Sequence, residues 1–271
     1  MTSYARIVVG SDGSEAARDA IAVAGAVAAR LAVPVTAATV WKQSIEVPGA
    51  RDETWAQRTT TGADVDLYAQ GVRDVVRIAV EGDPSDALIE IASQVPDTLI
   101  VVGAHGLGSA TSRMTGSASN QLSHSSPVDV LFVRNRVPKV ESVALATDGS
   151  ETALLAVRRG FEFASALGAR VSLITVADSL SAGEQILENV EQQLVTEYPD
   201  AVVERRPTTG DVADVLASDA GRYDVLVIGN RGMSGFARVL GSTANTVTHK
   251  ASSNLLLVNT TRTPPVAESS N

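Results

Sequence analysis

The sequence contains no cysteine, which excludes disulfide bonds and zinc sites built from thiolates. Histidine is scarce: the three residues His105, His124 and His249 are far apart along the chain. Lysine occurs only at positions 42, 139 and 250. None of these lysines completes the Gly-x4-Gly-Lys-Ser/Thr pattern that holds phosphates in P-loop nucleotide hydrolases, so that class is excluded.

Long apolar segments are also missing, because no apolar run approaches the ~18 residues that a membrane-spanning helix needs. The segment from Met1 to Arg6 leads directly into the apolar Ile7 to Val9 and is too short for a secretion signal. Acidic residues outnumber basic ones by 31 to 22, and the formal charge of −9 repels polyanions. We therefore expect a cytoplasmic protein with no membrane segment and no nucleic-acid partner.

What the chain does contain is an internal duplication. The segment Ile7-Val-Val-Gly-Ser-Asp-Gly-Ser14 returns as Val143-Ala-Leu-Ala-Thr-Asp-Gly-Ser150, 136 residues later. A glycine-rich segment recurs after only 126 residues, so the first copy has ten extra residues, which lie within 42–73. A chain of 271 residues is long enough for two domains of ordinary size. We predict domains at residues 1–137 and 138–262 and a disordered tail at 263–271.

Short apolar runs alternate with helix-favouring segments in both copies. Strands are predicted at 7–9, 35–40, 75–80, 99–102 and 128–133, and again from 143 and at 171–176, 201–205, 225–228 and 255–258. A helix at 55–70 is predicted less clearly, because Thr59-Thr60-Thr61-Gly62 disfavours it. The alternation predicts an α/β fold of two tandem, open, doubly wound domains, each a five-stranded parallel sheet flanked by helices. Ligands of such sheets bind beyond the carboxyl ends of the strands, where the strand order reverses.

Each copy has a glycine-rich segment directly after its fourth apolar run. The pattern is a glycine, two residues, a second glycine, eight or nine residues, and a Gly-Ser pair. Its members are Gly103, Gly106, Gly116 and Ser117 in the first copy, and Gly229, Gly232, Gly241 and Ser242 in the second. Glycines let an anion approach main-chain amides, and a helix N-terminus behind them favours phosphate. Glycines after strands also form plain tight turns, but two copies in matched contexts favour a phosphate-binding loop.

Other candidate residues are predicted at the same sheet edge. Asp12 and Asp148 follow the first strand of each copy, where a carboxylate can accept hydrogen bonds from a ribose hydroxyl or help to hold a metal. The alternative is that Asp-Gly-Ser simply forms a turn before a capped helix. Val40 and Val176 end the second strands, where main-chain groups can recognise an adenine.

Two cationic residues occupy matching places inside the glycine-rich segments. His105 in the first copy and Arg231 in the second either contact a phosphate or are solvated loop residues. His124 and His249 fall near the end of the following helix, and we expect them to be helix-terminal rather than ligand-binding.

The combination of a strand ending in Asp-Gly-Ser, the glycine pattern after the fourth strand, and a closing Val-Leu-Phe-Val strand resembles the universal stress protein family, in its tandem actinobacterial form. The resemblance implies an adenine nucleotide hydrolase-like fold that binds ATP, with magnesium arriving on the nucleotide. It places nucleotide contacts at the glycine-pattern residues above, at both aspartates and at both valines. It also implies that the fifth strands pair within the chain as a pseudo-dimer and that the protein acts in stress regulation. A homodimer of the whole chain is left open.

The sequence departs from the family pattern at three places. The second glycine segment is one residue shorter than the first, and Thr98 stands where an aspartate is usual before the fourth strand. Gly10, a further candidate for close approach to the nucleotide, is replaced by Ala146 in the second copy.

Three functional hypotheses follow. The first is an ATP-binding regulator with at most slow hydrolysis, for which we assign no catalytic residue and no metal ligand. The second is an adenylating or ATP-hydrolysing enzyme, which needs a His-x-Gly-His or Ser-Gly-Gly-x-Asp-Ser signature that Gly10 to Ser14 does not supply. The third is an ATP-independent interaction scaffold, which the intact glycine segments disfavour.

Overall fold

The structure is a computed structural model that describes residues 4–42, 51–104, 118–230 and 242–261. The first copy contains strands β1 to β5, at Arg6–Gly10, Val35–Trp41, Val75–Glu81, Thr98–Gly103 and Val130–Val133. Its described helices α1 to α4 are Glu15–Leu31, Glu53–Ala69, Pro84–Ser93 and Ala118–Ser125.

The second copy repeats this order. Strands β6 to β10 are Ser142–Ala146, Arg170–Val176, Val203–Thr208, Val225–Gly229 and Asn254–Val258. The described helices α5 to α8 are Glu151–Leu167, Leu180–Glu197, Val212–Asp219 and Ser242–Lys250, with a short 3₁₀ turn at Ala220–Arg222.

All ten strands form one sheet in the order β3-β2-β1-β4-β5-β10-β9-β6-β7-β8. Neighbouring strands are parallel within each copy. The two copies meet where β5 pairs antiparallel with β10, with Leu131 opposite Leu256. The predicted fold class is therefore confirmed, and the fifth strands pair as the family resemblance implies.

Two apolar layers cover the two faces of the sheet. Side chains alternate between the faces along each strand, so Ile7 and Val9 join the layer under α1 and α5, whereas Val8 joins the other. Each layer contains buried residues from both copies. The inner strands of the sheet are consequently apolar on both sides, which explains their continuous apolar runs.

Side-chain caps decide where the helices begin. Ser14 Oγ accepts the N–H of Ala17 at 3.1 Å, and Ser150 Oγ accepts that of Ala153 at 3.2 Å. Helix α3 begins at Pro84, because Asp83 caps it and proline is favourable at a first helical position. Strand β8 is displaced toward Thr208 from its predicted range.

Helix α2 runs through the threonine-rich segment that made it uncertain. The hydroxyl of Thr59 donates to the carbonyl of Trp55 at 2.9 Å, and that of Thr61 donates to Gln57 at 2.8 Å. These bonds satisfy each hydroxyl within the helix, so the threonines do not break it. The predicted tail at 263–271 lies outside the described residues.

A polar network ties the two copies together beside the β5–β10 pair. Asp129 Oδ2 accepts from Tyr4 Oη at 2.9 Å and from Arg159 Nε at 3.0 Å, and Asp129 Oδ1 accepts the Asn259 N–H at 2.8 Å. Arg159 also lies 4.3 Å from the ring of Tyr4. Burial raises the pKa of Tyr4 well above its ordinary value, and the charge of Asp129 adds to that rise. This aspartate thus joins both copies.

Candidate functional site

The strand order reverses once in each copy. In the first copy β1 lies between β2 and β4, and in the second copy β6 lies between β7 and β9. After its first strand, the chain of each copy continues to the second strand on one side, and the fourth strand pairs with the first on the other side. The chain segments that follow these strands diverge, which leaves a crevice at the carboxyl ends of the strands. The candidate residues of each copy that the structure describes lie at this edge.

The strand register brings those residues to one level. Gly10 is opposite Ala38 and Val9 is opposite Val101, so the segment after β1 runs beside Val40 on one side and Gly103 on the other. In the second copy Ala146 is opposite Ile174 and Leu145 is opposite Val227, which places Asp148, Val176 and Gly229 in the same way.

Asp12 and Asp148 each lie in a tight turn at this edge. Asp12 Oδ1 accepts the N–H of Ser14 at 3.0 Å, and Asp148 Oδ1 accepts that of Ser150 at 2.9 Å. The glycine between them has a positive φ in both copies, 73° at Gly13 and 79° at Gly149. The turn that the sequence offered as an alternative is therefore present. Both aspartates are exposed, and their Oδ2 atoms make no hydrogen bond to a described residue.

Main-chain groups of Val40 and Val176 face the crevice. The carbonyl of Ala38 accepts the N–H of Ser11 at 2.8 Å and so points toward β1, whereas that of Trp41 accepts from Gly82 on the β3 side. Because the direction alternates along a strand, the N–H and C=O of Val40 point toward the β1 side, beyond the last paired residue of β1.

The second copy has the same geometry. The carbonyl of Ile174 accepts from Thr147 at 2.9 Å, and the N–H of Ala177 donates to Thr208. Val176 therefore points its main-chain groups toward the side of β6, past the end of that strand. Each crevice thus has one main-chain donor and one acceptor from its second strand.

Packing accounts for two of the glycines at the edge. A Cβ atom on Gly103 would lie 2.7 Å from the carbonyl oxygen of Ala16, so the end of β4 approaches the first turn of α1 closely. A Cβ atom on Gly10 would lie 3.0 Å from Leu88 Cδ1. Contact of Gly10 with a nucleotide stays a prediction, because the nearby side chain of Leu88 is by itself a reason for a small residue at this position.

Ser119 and Asn230 stabilise the ends of the glycine segments and were missed at the sequence level. The hydroxyl of Ser119 donates to the carbonyl of Gly103 at 2.7 Å, which fixes α4 against the end of β4. Asn230 Oδ1 accepts the N–H and the hydroxyl of Thr260 at 3.0 and 2.9 Å, which ties the second segment to the chain after β10. The sequence signal that could have identified Ser119 and Asn230 is their position inside or next to the glycine pattern.

The remaining glycine-pattern residues fall largely outside the described residues. These are His105, Gly106, Gly116 and Ser117 in the first copy, and Arg231, Gly232 and Gly241 in the second. Ser242 is the first residue of α8, directly after the second segment. His124 and His249 lie in the last turns of α4 and α8, as expected.

Within the ranges that the structure covers, no helix is long and apolar enough to cross a membrane. The same ranges contain no group of three or more His, Cys, Asp and Glu residues arranged to hold a metal ion.

Comparison with known proteins gives consistent matches. A universal stress protein of Mycobacterium tuberculosis is 29% identical over 143 residues, covering 49% of this chain and 98% of that protein. One from Mycolicibacterium smegmatis is 27% identical over 185 residues, covering 59% of this chain and 61% of the relative. The crystal structure of a universal stress protein from Archaeoglobus fulgidus matches with a TM-score of 0.71 at 16% identity, over 95% of this chain and 98% of that one, which shows a shared fold.

The model of the universal stress protein family matches residues 3–134 and again residues 139–259. The two matches coincide with the two copies of five strands that meet at β5 and β10. The chain therefore belongs to the universal stress protein family and carries two of its domains in tandem.

Proposed function

We propose that each domain binds ATP in the crevice at its strand reversal and that the bound nucleotide serves as a regulatory signal in a stress response. The observation that carries the proposal is the crevice itself. In the first copy, the exposed Asp12 and the main-chain groups of Val40 that face the crevice lie beside the start of a Gly-x2-Gly-x9-Gly-Ser segment. The same arrangement recurs in the second copy at Asp148 and Val176.

The roles follow from the chemistry of each group. The N–H and C=O of Val40 and Val176 match the donor and acceptor on the Watson–Crick edge of adenine. Asp12 and Asp148 keep one carboxylate oxygen in the turn, which leaves the other for a ribose hydroxyl. The glycine segments, with Gly106, Gly116 and Ser117 or Gly232, Gly241 and Ser242, would supply amides to the phosphates.

Magnesium would arrive with the triphosphate. Asp12 and Asp148 are carboxylates at the strand reversal, and carboxylate oxygen is a ligand type that magnesium accepts. His105 and Arg231, inside the segments, are the candidate cations for the phosphates. We assign no residue to catalysis and propose at most slow hydrolysis.

Binding of labelled ATP by equilibrium dialysis tests the proposal. We expect two nucleotides per chain and a loss of affinity of about five- to thirty-fold at one site for Asp12→Asn and at the other for Asp148→Asn. Asparagine keeps the turn because its Oδ1 still accepts from Ser14 or Ser150. The matched controls Asp74→Asn and Asp200→Asn remove exposed charges at the opposite ends of strands and should leave affinity unchanged.

Tryptophan fluorescence separates the two sites. Both tryptophans lie in the first domain: Trp41 directly follows Val40, and Trp55 is on α2. Filling of the first site should change the emission, and Asp148→Asn should leave that change intact. No bound nucleotide in either assay would contradict the proposal and favour the interaction scaffold. Release of pyrophosphate that depends on an added acceptor would favour the adenylating enzyme.

A further inference from the structure

The two outer edges of the ten-stranded sheet are not alike. Strand β3 is the edge of the first domain and β8 is the edge of the second. The strand register relates the two edges residue by residue. Val75 pairs with Val35, and Val203 pairs with Val171, which is the counterpart of Val35 in the duplication, 136 residues later. Ala79 of β3 therefore corresponds to Pro207 of β8, and Arg77 corresponds to Arg205.

Strand β8 is protected against pairing with another strand. The carbonyl of Thr208 points inward, since it accepts from Ala177 on the β7 side. Because main-chain direction alternates along a strand, the main-chain groups of Arg205 and Pro207 point outward, away from β7. Proline has no N–H to present at that position. Arg205 is also occupied, with ion pairs to Glu184 at 2.9 Å and Glu191 at 3.2 Å. An outward proline and paired charges are the features that block edge-to-edge association.

Strand β3 contains no proline, and Arg77, the counterpart of Arg205, has a single, longer ion pair among the described residues, with Asp64 at 3.7 Å. Gly82 N–H donates to Trp41 and the carbonyl of Asp74 accepts from Val35, so residues of even number face β2. Arg77, Ala79 and Glu81 therefore direct their N–H and C=O groups outward. No hydrogen bond from a described residue reaches these groups. Within the described part of the chain, the edge is therefore a row of main-chain donors and acceptors without partners.

The charges on this edge are complementary to themselves. Arg77 and Glu81 are both exposed and lie on the same face of β3, two positions on either side of Ala79. In an antiparallel pair centred on Ala79, Arg77 of each copy lies opposite Glu81 of the other. A centre at Arg77 or at Glu81 would place like charges opposite each other, so the charges select the register.

We infer that β3 is a dimerisation edge at which a second copy of this chain pairs antiparallel about Ala79, forming one continuous sheet across two chains. Arg77, Ala79 and Glu81 each exchange two main-chain hydrogen bonds with the residue opposite in the second copy, about six bonds in all. The ion pair of Arg77 with Asp64 is long, at 3.7 Å, and partly exposed, so it is weak enough to be replaced by a pair across the dimer. Because β8 is blocked, association stops at a closed two-fold dimer rather than continuing as a polymer.

Sedimentation velocity of the full chain over a range of concentrations tests the inference. We expect a dimer for the natural sequence. Ala79→Pro copies Pro207, removes the outward donor and should give a monomer. The matched control Ala213→Pro, in the first turn of α7 and away from the edge, should stay dimeric, because proline is tolerated in a first helical turn.

Charge reversal gives a sharper test that does not depend on proline. Arg77→Glu alone and Glu81→Arg alone each place like charges opposite one another and should raise the dimer dissociation constant about tenfold or more. Mixing the two variants restores both opposite-charge pairs in a heterodimer, and the double variant restores them in a homodimer. A monomeric natural chain, a dimer indifferent to these changes, or a mixture that fails to associate would each overturn the inference.

Discussion

Single residues at the strand reversal are constrained by packing as well as by the proposed ligand. Gly103 and Gly10 end neighbouring strands, but their surroundings differ. The atom closest to an added methyl group is a main-chain carbonyl oxygen of α1 at Gly103 and the flexible end of a leucine at Gly10. A rigid backbone cannot move aside as a side chain can.

We therefore expect Gly103→Ala to lower the free energy of unfolding by about 2 kcal/mol, since α1 must shift away from β4. Gly10→Ala should cost under about 1 kcal/mol, because Leu88 can adjust and the second domain already has Ala146 at this place. Urea denaturation of both variants measures the difference. Equal losses would show that close packing on α1 is not what requires Gly103.

At the scale of the element, the duplicated helices α1 and α5 end in different residues with the same conformation. The C-cap of α1 is Ala32 with φ 54°, and that of α5 is Gly168 with φ 70°. The N–H of Gly168 donates to Ala164 and Ser165, and that of Ala32 donates to Ala28. A left-handed residue is strained when it carries a Cβ atom, so the first domain carries strain that the second avoids.

Ala32→Gly should therefore raise the free energy of unfolding by roughly 0.5 kcal/mol, because relief of strain exceeds the extra entropy of glycine in the unfolded chain. Gly168→Ala should lower it by about 1 kcal/mol. Thermal and urea unfolding of the two variants measure both changes. Destabilisation by Ala32→Gly would mean that the entropy of glycine outweighs the strain at this turn.

At the scale of the whole molecule, the junction between the domains is asymmetric. Asp129 directly precedes β5, and Asn254 is at the corresponding place as the first residue of β10. Asp129 accepts one main-chain N–H from the other domain, that of Asn259, and Asn254 accepts two, those of Arg134 and Asn135. Asp129 additionally carries a buried charge that Arg159 balances and to which Tyr4 donates a hydrogen bond, whereas the residue corresponding to Arg159 in the first domain is Val23.

Removing one partner of this pair leaves a charge buried without compensation. Arg159→Val should lower the free energy of unfolding by about 3 kcal/mol, because the side chain of Asp129 is only 5% exposed. The double variant Asp129→Asn with Arg159→Val copies Asn254 and Val23 and should recover much of that loss. Chemical denaturation of the single and double variants gives the coupling energy, and additive losses would contradict a charge-paired junction.

The degree to which the sequence predicted this protein differs with scale. The duplication, the order of strands and helices, the fold class and the family follow from local patterns: apolar period, caps such as Ser14 and Ser150, and repeated motifs. The boundaries of α2 and β8 were less certain. The helix α2 depends on threonine hydroxyls that donate to its own backbone, and the range of β8 depends on its pairing with β7. The contact of Ser119 with Gly103 was missed for the same reason.

The amino-acid sequence by itself determined that there are two α/β domains and which residues come to the carboxyl edges, since periodicity and glycine placement act within a few residues of one another. Only the tertiary structure decided which main-chain groups at Val40, Val176 and β3 have no partner among the described residues, and which charges meet at Asp129. Those features depend on strand register and on contacts between residues distant along the chain, such as Arg159 and Asp129, which lie 30 positions apart. No local pattern encodes such contacts.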